Sequence, residues 1–235
     1  MNTPSPDLVE TVGDAGFDCV FLDLEHGEYG TAALPGLLRA ARAAGCFGVV
    51  RLSHVAAHEV AAALDAGADA VLAPGVGRAA DAATVVAAAH YPPNGTRGAA
   101  PMVRAAGYGT MTFPLYRERI ETNVVVGVQI EGPDGLAALD DILAIPRLDL
   151  VFIGPFDLSQ HLGVPGQTDH PAVVSAMADI VERAEASGVA TGTWAPTAEA
   201  AKPWIDAGVR LVTVSSSTAL FTGAVTALLA ALRPA

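Results

Sequence analysis

Residues 124–131, VVVGVQIE, and residues 148–157, LDLVFIGPFD, flank the helical stretch DGLAALDDILA at 134–144, and together they spell one strand–helix–strand unit. Both outer runs are nearly continuous in Val, Ile, Leu and Phe, the pattern of strands buried on both faces of a parallel sheet. Each run ends in a carboxylate, Glu131 or Asp157. In a parallel β/α protein the strand C-termini open onto one face, so acidic residues one unit apart land side by side there. The pair reads as one metal site.

The same alternation extends in both directions. Further strands are predicted at about 18–24, 47–52, 70–74, 189–194 and 211–216, with Ala-rich helical stretches between them. Gly45, Gly67, Gly188 and Gly208 fall where helices should end on a left-handed residue. The units recur without a break, which predicts an α/β fold, a (β/α)₈-type barrel, as one domain over 1–235. An apolar helix at about 221–233 is free to pack on a neighbouring subunit. The one long irregular stretch, YPPNGTRGAAPMVRAAGYGTMTFP, is too rich in Pro and Gly for a continuous helix and too long to be idle. Arg97 within it either shapes the site mouth or a subunit contact, or is a plain surface residue.

Composition narrows the setting. Apolar residues make up 51% of the chain, yet Gly, Asp, Arg and Pro interrupt every run before the roughly 20 residues a membrane span needs. The first residues lack a basic segment followed by an apolar core, so a cytoplasmic location is expected. Cys19 and Cys46 lie in apolar surroundings without paired spacing and read as buried, reduced thiols. A net charge of −12 argues against nucleic-acid binding and for a small-molecule substrate.

Several residues carry candidate chemistry. The segment Asp23-Leu24-Glu25-His26-Gly27 ends a strand with three ionisable side chains, which is costly unless they are paired or working. His26 either passes a proton near neutral pH or is a hydrogen-bonded loop residue. Arg51 ends the next strand, where it either stabilises an oxyanion or forms a structural salt bridge. The turn Gly154-Pro155-Phe156-Asp157 offers backbone N–H groups to a substrate carboxylate, unless Asp157 merely caps the helix. Trp194 ends a strand and either lines the pocket or plugs the barrel. His161 follows the Asp157 motif as a neighbour of the site or a surface residue, and His54 with His58 reads as a solvated helix start. The single lysine, Lys202, precedes Pro203 away from any strand end, which argues against a Schiff-base mechanism.

The stretches AGFDCVFLDLEHG, VVRLS, LDAGADAVLAPGV, YPPNGTRG, VVGVQIEGPDGL and VFIGPFDLSQHLG together resemble the HpcH/HpaI aldolase/citrate lyase family, the metal-dependent pyruvate aldolases of the 4-hydroxy-2-oxoheptanedioate aldolase type. The resemblance covers nearly the whole chain. It implies a TIM-type barrel of the phosphoenolpyruvate/pyruvate superfamily type and a lyase that reversibly cleaves a 4-hydroxy-2-oxo acid to pyruvate and an aldehyde. Glu131 and Asp157 would ligate the metal, and a set of two carboxylates suits Mg²⁺, Mn²⁺ or Co²⁺. Arg51 would stabilise the enolate. His26, oriented by Asp23 or Asp65, would transfer a proton. Gln129 would line the pocket floor, the N–H groups around Phe156 and Asp157 would hold the pyruvate carboxylate, and Gly154, Pro155 and Trp194 would complete the substrate-binding set. A homo-oligomer, trimer or hexamer, is also implied.

Alternatives are oxaloacetate decarboxylation or biosynthetic carbon–carbon bond formation through the same enolate, and a barrel subunit without catalysis. Two departures stand out. The family's first strand and its loop are absent ahead of PSPDLVETVGDAGFD, so either the barrel lacks that strand or the natural start lies upstream. Phe156 stands where the family commonly has a small residue, which implies a narrower or reshaped acceptor pocket.

Overall fold

The computed structural model describes residues 1–233. Seven parallel strands follow one another in sequence order: β1 (Cys19–Asp23), β2 (Phe47–Arg51), β3 (Ala70–Ala73), β4 (Val125–Ile130), β5 (Leu150–Ile153), β6 (Ala190–Ala195) and β7 (Leu211–Val214). Leu72, Leu150 and Phe152 pack inside with Phe21 of β1 and Leu211 of β7. Side chains from the first and last strands therefore meet in one inner cluster, and the sheet curls into a nearly closed TIM-type barrel. Burial explains the uninterrupted apolar runs: β3 and β5 are covered at every position.

The outer layer consists of α1 (Pro6–Asp14), α2 (Leu34–Ala43), α3 (Ala57–Asp65), α4 (Ala79–Ala89), α5 (Phe113–Asn123), α6 (Pro133–Ala137), α7 (Leu139–Leu143), α8 (Pro155–His161), α9 (Pro171–Ala186), α10 (Ala198–Asp206) and α11 (Ser217–Leu232). Gly67 (φ 92°) and Gly188 (φ 73°) terminate α3 and α9 in the left-handed region, as their positions predict. The helix expected over 134–144 is instead two short ones, broken at Ala138 (φ −94°, ψ 7°). The irregular stretch is also not structureless. It holds a 3₁₀ segment, Arg104–Gly109, and leads into α5, whose polar sequence FPLYRERIETN shows no helical stripe.

Two aspartates bolt the barrel at its base. Asp69, just before β3, accepts from the Gly48 amide at 2.9 Å, and Asp149, just before β5, accepts from the Val126 amide at 2.8 Å. In both cases the aspartate's own amide donates back to the same residue's carbonyl at 2.9 Å. Two bonds thus pin the start of one strand to the approach of the next.

Between β7 and β1 no ladder forms among the described residues. Met1 instead occupies a bridge position on β1: its nitrogen donates to the Phe21 carbonyl, and its carbonyl accepts from the Asp23 amide at 3.4 Å and the Tyr29 hydroxyl at 2.9 Å. The Asn2 amide reaches across to Ser217 Oγ at 3.2 Å.

The C-terminal helix starts four residues earlier than its apolar run suggests, because Ser216 Oγ caps it by accepting from the Ala219 amide. None of its residues is buried, and Leu220, Phe221, Leu228 and Leu232 stand exposed. Among the described residues no helix is long and apolar enough to cross a membrane.

Candidate active site

The parallel register sets Asp23 opposite Arg51 at the ends of β1 and β2. Residues paired in register point to the same face, so the two side chains meet. Arg51 Nε donates to Asp23 Oδ1 at 2.9 Å and its Nη2 to Oδ2 at 2.7 Å, a bidentate fork. Nη1 pairs with Glu25 Oε2 at 2.9 Å. Glu25 lies two residues beyond Asp23, hence on the same face, while Leu24 between them points into the core. The Arg51 side chain retains 15% exposure toward the barrel mouth and stacks over the Phe21 ring.

Burial works to raise the Asp23 carboxyl, but the bonds and charge of Arg51 and the amides of His26 and Glu25 outweigh it and hold it below its ordinary value. Glu25 moves the other way. Burial and the like charges of Asp23 and Asp157 push it up against the pull of Arg51 and His26.

Glu131 follows β4, and its carboxylate turns inward over the barrel. Oε1 accepts from the Gly75 amide at 2.9 Å and Oε2 from Gln129 Nε2. A Cβ on Gly154 would fall 2.6 Å from Glu131 Oε2, so only glycine lets α8 start this close to the carboxylate. Burial raises the Glu131 carboxyl, and the charges of Glu25 and Asp157 raise it further against the Gln129 and Gly75 bonds. Asp157, in the first turn of α8, accepts from Gln160 Nε2 at 3.0 Å. Glu25, Glu131 and Asp157 thus direct negative charge into one mouth that Arg51 only partly balances. Among the described residues no three His, Cys, Asp or Glu side chains converge tightly enough to form a metal cage of their own.

Other expected residues are placed as follows. Gly154 and Pro155 are buried at the start of α8, whereas Phe156 is 54% exposed beside the Gly166 turn. Gln129 is buried on β4 with Oε1 unpartnered among the described residues. The Trp194 indole donates to the Ser215 carbonyl at 3.0 Å and packs against the inner cluster, the plug reading. The His26 imidazole is 65% exposed, 3.9 Å from Glu25. His161 Nε2 leans on Gly132, the residue after Glu131, at 3.5 Å from where a Cβ would stand. Lys202 lies exposed on α10.

Asp65 is not brought to His26. It closes α3 at the opposite end of its β/α unit and binds Arg97 at 2.6 Å, while Asp23 spends its oxygens on Arg51 and on backbone amides. Neither aspartate touches the imidazole. Arg97 is likewise neither at the site mouth nor on the surface: its guanidinium is buried between the Tyr91 and Tyr116 rings and donates to the Tyr116 hydroxyl at 2.9 Å. Glu25, singled out with Asp23 and His26 but given no role of its own, proves to be the second carboxylate on Arg51, and Gly75 escaped the sequence reading, with no signal beyond its place after a strand.

Known proteins bear on this geometry. The family model described as HpcH/HpaI aldolase/citrate lyase matches residues 1–224. A hydroxypyruvate/pyruvate aldolase of Sagittula stellata is 36% identical over 210 residues, 89% of this chain and 82% of its own length. A 2-dehydro-3,6-dideoxy-6-sulfogluconate aldolase of Pseudomonas putida is 34% identical over 233 residues, 99% of this chain and 91% of its own. A solved HpcH/HpaI aldolase/citrate lyase family protein from Burkholderia cenocepacia superposes with a TM-score of 0.88 at 35% identity, covering 98% of this chain and 91% of that one. With the family model matching residues 1–224 and relatives 34–36% identical over most of both chains, the chain belongs to the HpcH/HpaI aldolase/citrate lyase family.

Proposed function

We propose that this protein is a divalent-metal-dependent aldolase that reversibly cleaves a 4-hydroxy-2-oxo acid to pyruvate and an aldehyde. The observation that carries the reading is the shared mouth of Glu131, Asp157 and the fixed Arg51, in a chain whose relatives are named as aldolases. The donor chemistry fits a metal. Two carboxylates and the unpartnered Gln129 Oε1 nearby are hard oxygen donors suited to Mg²⁺, Mn²⁺ or Co²⁺, with the remaining positions left to water and substrate oxygens. Such a cation supplies Lewis acidity toward a ketone oxygen.

The chain's own groups do the rest. A guanidinium has five N–H donors; two of those on Arg51 are hydrogen-bonded to Asp23, and Nη1 forms an ion pair with Glu25. The N–H groups left on Nη1 and Nη2 stabilise the enolate oxygen as charge develops. The amides of Phe156 and Asp157, at the start of α8, orient the substrate carboxylate. His26, at the exposed rim, exchanges a proton with the hydroxyl oxygen of the aldol without help from Asp65. The exposed apolar face of α11 supports a further part of the reading, that this helix packs on a neighbouring subunit of a homo-oligomer.

Proton NMR of pyruvate in D₂O tests enolate formation without knowledge of the aldehyde. The methyl signal washes out with protein and Mn²⁺ or Mg²⁺ and persists with chelator. Exchange that ignores chelator, or none with any divalent cation, refutes the reading.

A further inference from the structure

We propose that the opposite end of the barrel, at the strand N-termini, carries a binding site for a small multivalent anion between Arg42 of α2 and Arg119 of α5. A cavity of about 640 Å³ opens there, lined by Arg42, Phe47, Asp69, Arg119, Asn123 and Val124 among others. Its volume suits an organic ligand rather than a bare ion. Phe47, which begins β2, and Val124, just before β4, give it apolar walls.

The distribution of charge supplies the second observation. The chain has 13 basic residues against 25 acidic ones, so several arginines sharing one face stand out against the overall charge. Arg51, Arg78, Arg97, Arg147 and Arg183 are all in ion pairs. Arg117, Lys202 and Arg210 form none among the described residues and are spread over the surface, whereas Arg39, Arg42, Arg104 and Arg119, also without an ion pair there, lie together around this one cavity. Arg104 is lowered from its ordinary value first by burial and then by the positive charges of Arg42 and Arg39, which places the three within electrostatic reach of one another. Its guanidinium donates to the Ala66 carbonyl at 2.6 Å and the Leu38 carbonyl at 3.4 Å, fixing the 3₁₀ segment against α2 and the end of α3.

The carboxylate that lines the cavity, Asp69, has Oδ2 committed to the Gly48 amide. Like charges gathered in an acidic protein raise its energy unless an anion joins them, and guanidinium groups match phosphate and carboxylate oxygens in a forked geometry. The ligand is therefore a small molecule with two or more phosphate or carboxylate charges. The site is distinct from the aldolase mouth, and its test does not depend on that reading.

Calorimetric titration with inorganic pyrophosphate and, separately, with tricarballylate tests the site and distinguishes phosphate from carboxylate. At least one anion binds with a sub-millimolar Kd, weakening as NaCl rises. The double variant Arg42→Gln/Arg119→Gln, with unchanged circular dichroism, binds it about tenfold or more weakly, the scale of a lost charge-assisted hydrogen bond. In the wild-type chain the same anion protects Arg42 and Arg119 from phenylglyoxal, read by peptide mass spectrometry, so the result stands even if the double variant misfolds. Failure of both anions to bind, binding undiminished in the folded double variant, or absence of protection overturns the proposal. So does a double variant that merely dissociates an oligomer, which assigns the arginines to a protein contact.

Discussion

Asp23 and Arg51 end neighbouring strands in register and share two parallel hydrogen bonds, so the guanidinium is held fixed within electrostatic reach of Glu131. A point charge on a flexible stem cannot reproduce that fork. Arg51→Lys is expected to lower kcat by about 10²–10³, the loss typical of one oxyanion donor, with metal still bound. Pyruvate deuterium exchange and calorimetric metal titration check the two halves. A lysine variant with wild-type kcat would make Arg51 a structural residue. Arg51→Ala is a harsher change, costing about 3–5 kcal/mol of stability because it leaves the buried Asp23 charge uncompensated.

The same pair sets an acid limit. Asp23 is depressed in the folded protein, so the unfolded chain takes up this proton first as pH falls. The stabilisation is fully present above the unfolded carboxyl pKa of about 3.9 and is lost as pH drops through the depressed folded value. The Tm difference between wild type and Asp23→Asn should be constant from about pH 6 to 8 and shrink below about pH 4. A difference that widens in acid would contradict the assignment.

Glu131 carries the opposite sign. Its carboxyl is raised by burial and by Glu25 and Asp157, so its charged form opposes folding, and that cost grows as pH rises through the raised value. In chelator at pH 7, Glu131→Gln should raise Tm by about 2–4 °C, the shift produced by roughly 1 kcal/mol in a domain of this size, while abolishing activity. An unchanged or lower Tm would mean that the like-charge cost is already relieved in the wild-type chain.

Phe156 places a large ring beside the Gly166 turn, in the first turn of α8 next to Asp157. Phe156→Ala should improve kcat/KM for bulky aldehydes by about tenfold or more, the scale of a methylene or two in an apolar pocket. Pyruvate exchange, which needs no aldehyde, should be unchanged. Equal effects on all aldehydes would remove Phe156 from the acceptor pocket.

For α11, light scattering across a dilution series should show an oligomer that Leu228→Asp weakens, since an exposed apolar helix face needs a partner surface. A monomer at every concentration would leave the helix without one.

How far the chain could be read beforehand depended on what each signal was made of. Strands β3, β4 and β5 were legible because burial on both faces leaves nearly unbroken Val, Ile and Leu runs, whereas β6, ATGTWA, was placed by the recurrence of the units. Helix ends were legible where a glycine must take positive φ. Polar α5 was not, since it buries just Tyr116 and Ile120, with Phe113 partly covered beside them. At the site, Arg51, which ends β2 in register with Asp23, and Glu131, which directly follows β4, could be placed at the strand C-termini from sequence. Asp65 could not be, because a carboxylate's partner in space, here Arg97, leaves no trace in local pattern. Arg97 itself sits in a loop rich in Pro and Gly, yet two tyrosines bury it.

The matching aspartate joints at Asp69 and Asp149 lie two strands apart and use the same pair of backbone contacts, whereas every group assigned to chemistry projects from the other end. Structural fastening and reactivity thus occupy separate tiers of one scaffold. Segments between the joints become interchangeable cassettes: grafting a relative's upper loops onto this chain, or its β2–β4 portion in place of β4–β6, probes modular ancestry with the foundations left in place.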